Sequence, residues 1–501
     1  MHLANRPLRS LSCHIAFALA AACSASVIQA AQIDSAVTAE AARSGSVDTL
    51  IVLQAKASKD LLRTDGNYLE RRRALVDLLR TTADVSQADL RRWLDAEGVA
   101  YRPYWIVNTI QARLTAAQVN ELAARSDIAR IASNAPIQLR MPQQSEALQP
   151  QPQAPNAIEW GVNKIKAPQV WALGITGAGI VVAGQDTGIR WTHNAIKAKY
   201  RGWDGAVANH NYNWHDAIHA VNSSCPADSP QPCDDNGHGS HTVGTMLGDD
   251  GVTNQVGVAP GAKWVGCRNM NAGAGTPATY NECAQWLLAP TDLTGANPNP
   301  DLAPDVIGNS WGCPDSEGCT TGQEAREAIE NLISGGIMFV AAAGNDGSAC
   351  GTIGDAPGTY DNVFTIGSTT QSDAMSGFSG RGPVTGANQV KPDVIAPGSS
   401  VRSITRSSDT AYTSLSGTSM ATPHVAGAVA LVMQANPGLR GNPAAVAALL
   451  RSTAVPLTSS TQVCGGIPAT TFPNPVQGYG QIDVLAAVNK AEKIFADDIE
   501  P

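Results

Sequence analysis

Three separated segments of the chain carry the side chains that acyl transfer needs. Asp186-Thr187-Gly188-Ile189 follows an apolar run and supplies a carboxylate. Asn236-Gly237-His238-Gly239-Ser240-His241-Thr242-Val243-Gly244-Thr245 sets an imidazole at a glycine-lined entry to a helix. Gly417-Thr418-Ser419-Met420-Ala421-Thr422-Pro423-His424 opens a long apolar helix reaching Met433, and Pro423 reads as a first-turn residue, where a missing N–H costs little. Ser419 is then at a helix amino terminus, where unpaired N–H groups and the dipole favour developing negative charge. A nucleophilic hydroxyl, an imidazole to take its proton and a carboxylate to orient the imidazole are the working parts of a serine hydrolase. Each alone is an ordinary structural device, a turn-capping aspartate or a serine cap. Ala341-Ala342-Ala343-Gly344-Asn345-Asp346-Gly347 adds a fourth part, the Asn345 amide as an oxyanion donor beside the Ser419 N–H.

These parts need a scaffold that brings distant segments together. Unbroken apolar runs at Ile180–Ala183, Trp264–Gly266, Val306-Ile307, Ile337–Val340 and Val363–Ile366 alternate with helical stretches. They predict an α/β fold with a doubly wound, mainly parallel sheet buried on both faces. A carboxylate leaving such a strand stands where these folds gather their sites. Ahead of this region, strand Thr49–Leu53, helices Tyr68–Leu79 and Ala88–Ala96, strand Trp105–Gln111, helix Thr115–Ala124 and the apolar Ile128–Ile131 predict a small α+β module. Arg6 and Arg9 before an apolar run from Leu11 to Ile28, then Ala30 and Ala31, read as an export signal. The expected organisation is signal 1–30, amino-terminal module 31–140, exposed Pro/Gln-rich linker 141–157, main domain 158–495 and acidic tail 496–501.

Charged residues are 15 % of the 501 and hydrophobic ones 43 %, a globular balance. Lysine plus arginine number 34 against 43 acidic residues, with no arginine-rich stripe, which argues against a nucleic-acid partner. Residues 1–155 carry 17 basic and 14 acidic side chains, whereas 156–501 carry 17 and 29, so opposite net charges favour association of the two parts. No later segment is long and apolar enough to span a membrane. Cys13 and Cys23 fall in the signal; Cys225, Cys233, Cys267, Cys283, Cys313, Cys319, Cys350 and Cys464 remain. An even number after an export signal predicts disulfides, with Cys225–Cys233 and Cys313–Cys319 favoured as local loops. His210, His215, Asp216 and His219 are dense enough to suggest a metal if helical, but they leave a third ligand unplaced and read as a polar surface loop. His241 and His424 read as packed or hydrogen-bonded neighbours of the site.

The segments around Asp186, His238, Asn345 and Ser419, in this order, resemble the subtilase family of subtilisin-like serine endopeptidases, and Gly308-Asn309-Ser310-Trp311-Gly312-Cys313 is most similar to its bacillopeptidase F branch. The resemblance covers residues 158–490. It implies that Asp186, His238 and Ser419 form the triad, that Asn345 is the oxyanion donor, and that Ser310-Trp311-Gly312 and Ala342-Ala343-Gly344 flank a protein or peptide substrate bound as an added strand. Residues 48–140 are similar to the family's inhibitory, folding-assisting propeptide. The chemistry requires no cofactor. Structural calcium is common in the family, but Ala195 and Gly251 replace an aspartate and an asparagine of one familiar site, so no metal ligands are assigned. Counting back from Val363–Ile366, Asp355 falls where many relatives have glycine at the base of the main specificity pocket, which implies a preference for lysine or arginine. As a plain residue, Asp355 reads equally as a turn before Pro357-Gly358. Aligning Ile128–Arg140 with the end of the propeptide puts self-cleavage after Arg140, with a mature terminus at Met141. The whole resembles a secreted, self-processing precursor, periplasmic or extracellular. The rivals are a binding protein locked by residues 48–140 and a metallohydrolase using the His210–His219 cluster.

Overall fold

The computed structural model describes residues 31–62, 66–139, 143–144, 157–222, 224–313, 325–386 and 389–497. Residues 1–30, expected as an export signal, and Arg140, Met141, Cys319 and the last four residues lie outside them. In the amino-terminal module, β1 (Gln32–Ile33), β2 (Ser46–Leu53), β3 (Tyr101–Tyr104), β4 (Thr109–Thr115) and β5 (Ile128–Ser133) form one sheet in the order β1-β5-β2-β4-β3. Its pairs are antiparallel except β1 with β5. The helices are α1 (Ser35–Ser44), α2 (Tyr68–Ser86), α3 (Ala88–Ala96) and α4 (Ala116–Ala123). α2 starts in a capping box, the Asn67 side chain accepting from the Glu70 N–H while the Glu70 carboxylate accepts from the Asn67 N–H. The strand expected over 105–111 begins only at Thr109. Residues 105–108 turn instead, because Asn108 adopts φ 46° and its amide donates to the Ala55 carbonyl at 2.8 Å. Ile51, Leu90, Ile110, Leu114 and Leu122 fill the module's own core.

Two short strands, β6 (Ile137–Gln138) and β7 (Gln143–Gln144), lead to the main domain, whose strands include β8 (Val181–Asp186), β9 (Trp214–Asp216), β10 (Lys263–Arg268), β11 (Ala274–Gly275), β12 (Val306–Asn309), β13 (Met338–Ala342), β14 (Phe364–Thr369), β15 (Val394–Pro397) and β16 (Tyr412–Ser416). Seven of them form a wholly parallel sheet in the order β9-β10-β8-β12-β13-β14-β15. β8, first in the chain, lies inside the sheet, with β10 on one side and β12 on the other. Strand order therefore reverses at its carboxyl end, where Asp186 stands. α5 (His238–Leu247), α6 (Pro277–Leu288), α7 (Arg326–Ser334), α8 (Thr418–Ala435) and α9 (Val484–Asp497) include the helices that flank the sheet. α8 is buried from Thr418 to Met433, which is why it is apolar on every side. α9 runs to Asp497, into the segment read as the tail.

Leu75, Val76 and Leu79 of α2, with Tyr104, Ile106 and Val107, share a core with Ala278, Trp286, Ile329 and Leu332 of α6 and α7. Buried Arg72 donates across this seam to the carbonyls of Gly335 at 2.6 Å and Pro300 at 3.2 Å. The ion pairs described across it, Lys56 with Glu327 and Arg73 with Asp301, have their bases on the amino-terminal module, matching the opposed charge of the two parts. Being exposed, they contribute less than the apolar seam. Disulfides join Cys225–Cys233, Cys267–Cys283 and Cys350–Cys464, and Cys313 is also disulfide-bonded. Among the described residues no helix is long and apolar enough to cross a membrane.

Candidate active site

Asp186 ends β8, and both its carboxylate oxygens lie 2.8 Å from Nδ1 of His238, the first residue of α5. Strand end and helix start approach closely because Gly239 has no side chain: a β-carbon there would lie 2.2 Å from the Gly188 carbonyl oxygen and 3.0 Å from Asp186 Cβ. Thr187 locks the junction. Its hydroxyl donates to Asp234 Oδ1 at 3.0 Å and accepts from the Gly239 N–H at 3.0 Å. Asp234 in turn accepts from the N–H groups of Asn236, Gly237 and Ser240, so a buried carboxylate satisfies donors at the start of α5. Asp186, His238 and Ser419 are 1–2 % exposed.

Ser419 is the second residue of α8, among the first-turn residues whose N–H groups have no intrahelical acceptor. The helix begins at Thr418, so Pro423 is an interior residue rather than a first-turn one. Its missing N–H would have bonded to the Ser419 carbonyl, four residues back. That carbonyl accepts instead from the Ser310 hydroxyl at 3.0 Å, while the Ser419 hydroxyl donates to the Ser310 carbonyl at 2.8 Å. Nε2 of His238 is buried without a hydrogen-bond partner. Asn345 Oδ1 accepts from both N–H and Oγ1–H of Thr418, at 2.8 and 3.0 Å, which fixes the amide orientation and leaves its NH₂ as the donor end.

Ser310, Trp311 and Gly312 line one side of a cavity that also touches Ala342, Gly344, Asn345, Asp355 and Ser419. Ala343 is buried beneath this wall, its N–H donated to the Ile366 carbonyl at 3.0 Å. Leu139 lines the same cavity. β6 pairs antiparallel with β11, and the Leu139 N–H continues the ladder to the Gly273 carbonyl at 2.7 Å. Beyond the cavity β7 pairs antiparallel with β16, opposite Leu415 and Ser416. Residues 137–139 thus reach the cavity as paired strand and 143–144 pair beside Leu415 and Ser416, so part of the expected exposed linker is docked. The edge at Gly273–Gly275 was not among the expected contacts; its only sequence signal is the alternation Ala272-Gly273-Ala274-Gly275.

The other histidines have separate partners. His241 Nε2 meets the Thr413 carbonyl at 3.2 Å and His424 Nδ1 the Met420 carbonyl at 2.8 Å. Burial pushes His241 down to about 3, helped by nearby His238, and His424 down to about 4, so both are neutral. His215 and His219 are not on a helix; both bond to Glu282 of α6, at 2.9 and 3.1 Å. His210 bonds to Tyr200, and Asp216 pairs with buried Arg268. Among the described residues no group of three or more His, Cys, Asp and Glu could hold a metal ion.

A subtilase family profile matches residues 177–480. The chain is 35 % identical over 476 residues to bacillopeptidase F of Bacillus subtilis (strain 168), covering 89 % of this chain but 31 % of that protein. It is 35 % identical over 285 residues to subtilisin DY of Bacillus licheniformis and 32 % over 286 residues to subtilisin Savinase of Lederbergia lenta, in each case over 56 % of this chain and 86 % of the relative. The chain belongs to the subtilase family of serine endopeptidases.

Proposed function

We propose that this chain is the exported precursor of an endopeptidase that cuts proteins or peptides through an acyl-enzyme, with Asp186, His238 and Ser419 as its triad. The observations that carry the reading are the Asp186–His238 pair, the cavity that Ser419 and Asn345 line together, and the strand pairing that brings Leu139 to that same cavity. Ser419 Oγ turns from the Ser310 carbonyl to the unpartnered Nε2 of His238, which takes its proton as Oγ attacks the peptide carbon. Asp186 holds the imidazole by Nδ1 and stabilises the cation. The oxyanion is met by the Asn345 NH₂ and the Ser419 N–H. His238 returns the proton to the departing amine, and water then hydrolyses the acyl-enzyme. Nucleophile, base and oxyanion donors all come from the chain itself, so the reaction needs no cofactor.

Residues 31–140 act as propeptide and inhibitor in this reading, which is supported by Leu139 lining the cavity beside Ser419 and by the pairing of Ile137–Gln138 with Ala274–Gly275. Self-cleavage after Arg140 leaves Met141 as the mature terminus. The disulfides and the export signal support a secreted location, periplasmic or extracellular. Ser419→Ala tests the proposal: the purified precursor should remain uncut and inactive on casein, whereas the wild type converts to a shorter active form. Processing and casein hydrolysis by the Ser419→Ala protein at the wild-type rate would contradict it.

A further inference from the structure

The ladder between β8 and β12 pairs Val182 with Val306, Ala183 with Ile307 and Gly184 with Gly308, and stops there. One residue on, side chains take over. The Gln185 amide donates to Asn309 Oδ1 at 2.9 Å, the Asn309 amide donates to the Trp311 carbonyl at 2.8 Å, and the Trp311 indole N–H donates back to the Gln185 carbonyl at 3.0 Å. The directions follow from the chemistry. An indole N–H only donates and a carbonyl only accepts, so Asn309 must turn its NH₂ to Trp311 and its oxygen to Gln185, which answers with its own NH₂. All three residues are buried, so water does not compete for these bonds.

Packing alone would not favour this ring. Gln185 keeps its Oε1 buried without a hydrogen-bond partner, whereas the preceding Val182 and Ala183 of β8 and Val306 and Ile307 of β12 are buried and apolar. Leucine at 185 and 309 would avoid the desolvated amides. What the polar ring adds is direction, because it joins two parts of the site. Gln185 precedes Asp186, whose carboxylate holds His238. Trp311 lies between Ser310 and Gly312 in the wall of the cavity that Ser419 and Asn345 share. The carbonyls of Ser310 and Trp311 are thereby held on different partners: the first accepts from the Ser419 hydroxyl at 2.8 Å, the second from the Asn309 amide. The indole is fixed again by stacking on Tyr280 of α6, with ring centroids 3.9 Å apart and planes 16° from parallel. A Trp311 peptide group released from Asn309 is free to rotate, and the polar edge of the wall turns with it. We propose that Gln185 and Asn309 are positioning residues, holding the Ser310–Gly312 backbone in the orientation that lets an extended peptide lie against it. The inference rests on the endopeptidase proposal.

The test compares two substrates on processed wild type, Asn309→Leu and Gln185→Leu, each standardised by fluorophosphonate titration so that only competent sites are counted. A hexapeptide anilide must lie along the wall, whereas p-nitrophenyl acetate needs only the nucleophile, the base and the oxyanion donors. Asn309→Leu removes the bonds from Gln185 and to Trp311. It should lower kcat/KM on the peptide by roughly 10- to 100-fold, up to the cost of a misplacement near 1 Å, while the acetate ester changes by less than about threefold. Gln185→Leu removes only the bond to Asn309 and leaves the Trp311 carbonyl its donor, so its peptide loss should be roughly 3- to 10-fold with the ester again little changed. This milder variant decides the question if Asn309→Leu does not fold. Equal losses on peptide and ester, the mark of a merely structural role, or no loss on the peptide, overturns the inference while the endopeptidase proposal stands. A wild type that hydrolyses the ester but no peptide overturns the endopeptidase proposal and the inference with it.

Discussion

The hydrogen bond from Ser310 to the Ser419 carbonyl exists because Pro423 cannot supply the helical one, and this dependence has a measurable size. In a non-cleaving Ser419→Ala background the reciprocal bond from Ser419 is absent, which isolates the Ser310 donor. Ser310→Ala then leaves a buried carbonyl without its side-chain donor, a loss of about 1–3 kcal/mol. With Pro423→Ala the helix regains the N–H four residues on, and the same Ser310→Ala change should cost only about 0.5 kcal/mol. Pro423→Ala alone should stabilise by about 2 kcal/mol, an interior proline costing about 3 and the freer unfolded chain returning up to about 1. The double-mutant cycle predicts a coupling of about 0.5–2.5 kcal/mol, read from urea unfolding of the four precursors followed by both fluorescence and circular dichroism. A Ser310→Ala cost that is equal in the proline and alanine backgrounds would refute the compensation.

Asn345→Ala should lower turnover by about 10²–10³ with a smaller change in KM, a range measured for the equivalent donor in a subtilisin rather than derived from this geometry. It also removes the acceptor of the Thr418 N–H, so stability should fall by about 1 kcal/mol. Unchanged turnover on a peptide amide would leave Asn345 a structural cap. Gly239→Ala drives a β-carbon against the Gly188 carbonyl and Asp186, and a displacement near 1 Å predicts about a hundredfold loss of turnover; full activity would show that the strand–helix junction tolerates movement. Burial would raise the Glu282 carboxyl, but its bonds from His215 and His219 outweigh this and hold it down at about 2; His219, lowered by burial, is raised overall by Glu282 and Asp228. The Glu282 contribution is present above its ordinary 4.5 and lost as pH falls toward 2, whereas that of His219 is present below its ordinary 6.5 and lost as pH rises through the raised value. The difference in thermal midpoint between wild type and Glu282→Gln should therefore be largest between 4.5 and 6.5 and shrink as pH rises through the raised His219 value. A flat difference would contradict the network.

The parts of the fold that were legible in the sequence are those with local causes. Strands buried on both faces announce themselves as unbroken apolar runs, and α2 announces itself through apolar residues at helical spacing from Tyr68. The helix starts at His238 and beside Ser419 were legible because glycine-rich surroundings constrain sequence over several neighbours. What stayed hidden depends on distant partners. Pro423 looks tolerable only at a helix start until Ser310, far back in the chain, supplies the missing donor. Asn345 is recognisable as a donor, but its orientation comes from Thr418. The histidines at 215 and 219 find Glu282 more than sixty residues later, so local spacing suggested a loop or a metal and could not reveal their shared carboxylate. Residues 105–108 carry an alternating pattern that a single left-handed Asn108 breaks. Cys267–Cys283 and Cys350–Cys464 close loops of 16 and 114 residues, which spacing cannot choose among the available pairings.

The central claim is that the Ser419 hydroxyl is the nucleophile. Its most direct test is to treat the processed wild-type enzyme with a fluorophosphonate and locate the adduct by peptide mass spectrometry while following residual hydrolysis. The predicted result is one adduct per molecule, on Ser419, forming at the rate at which activity disappears and failing to form when His238 is replaced by alanine. An adduct on another residue that tracks the loss of activity, or full hydrolysis by protein quantitatively modified at Ser419, would contradict the account.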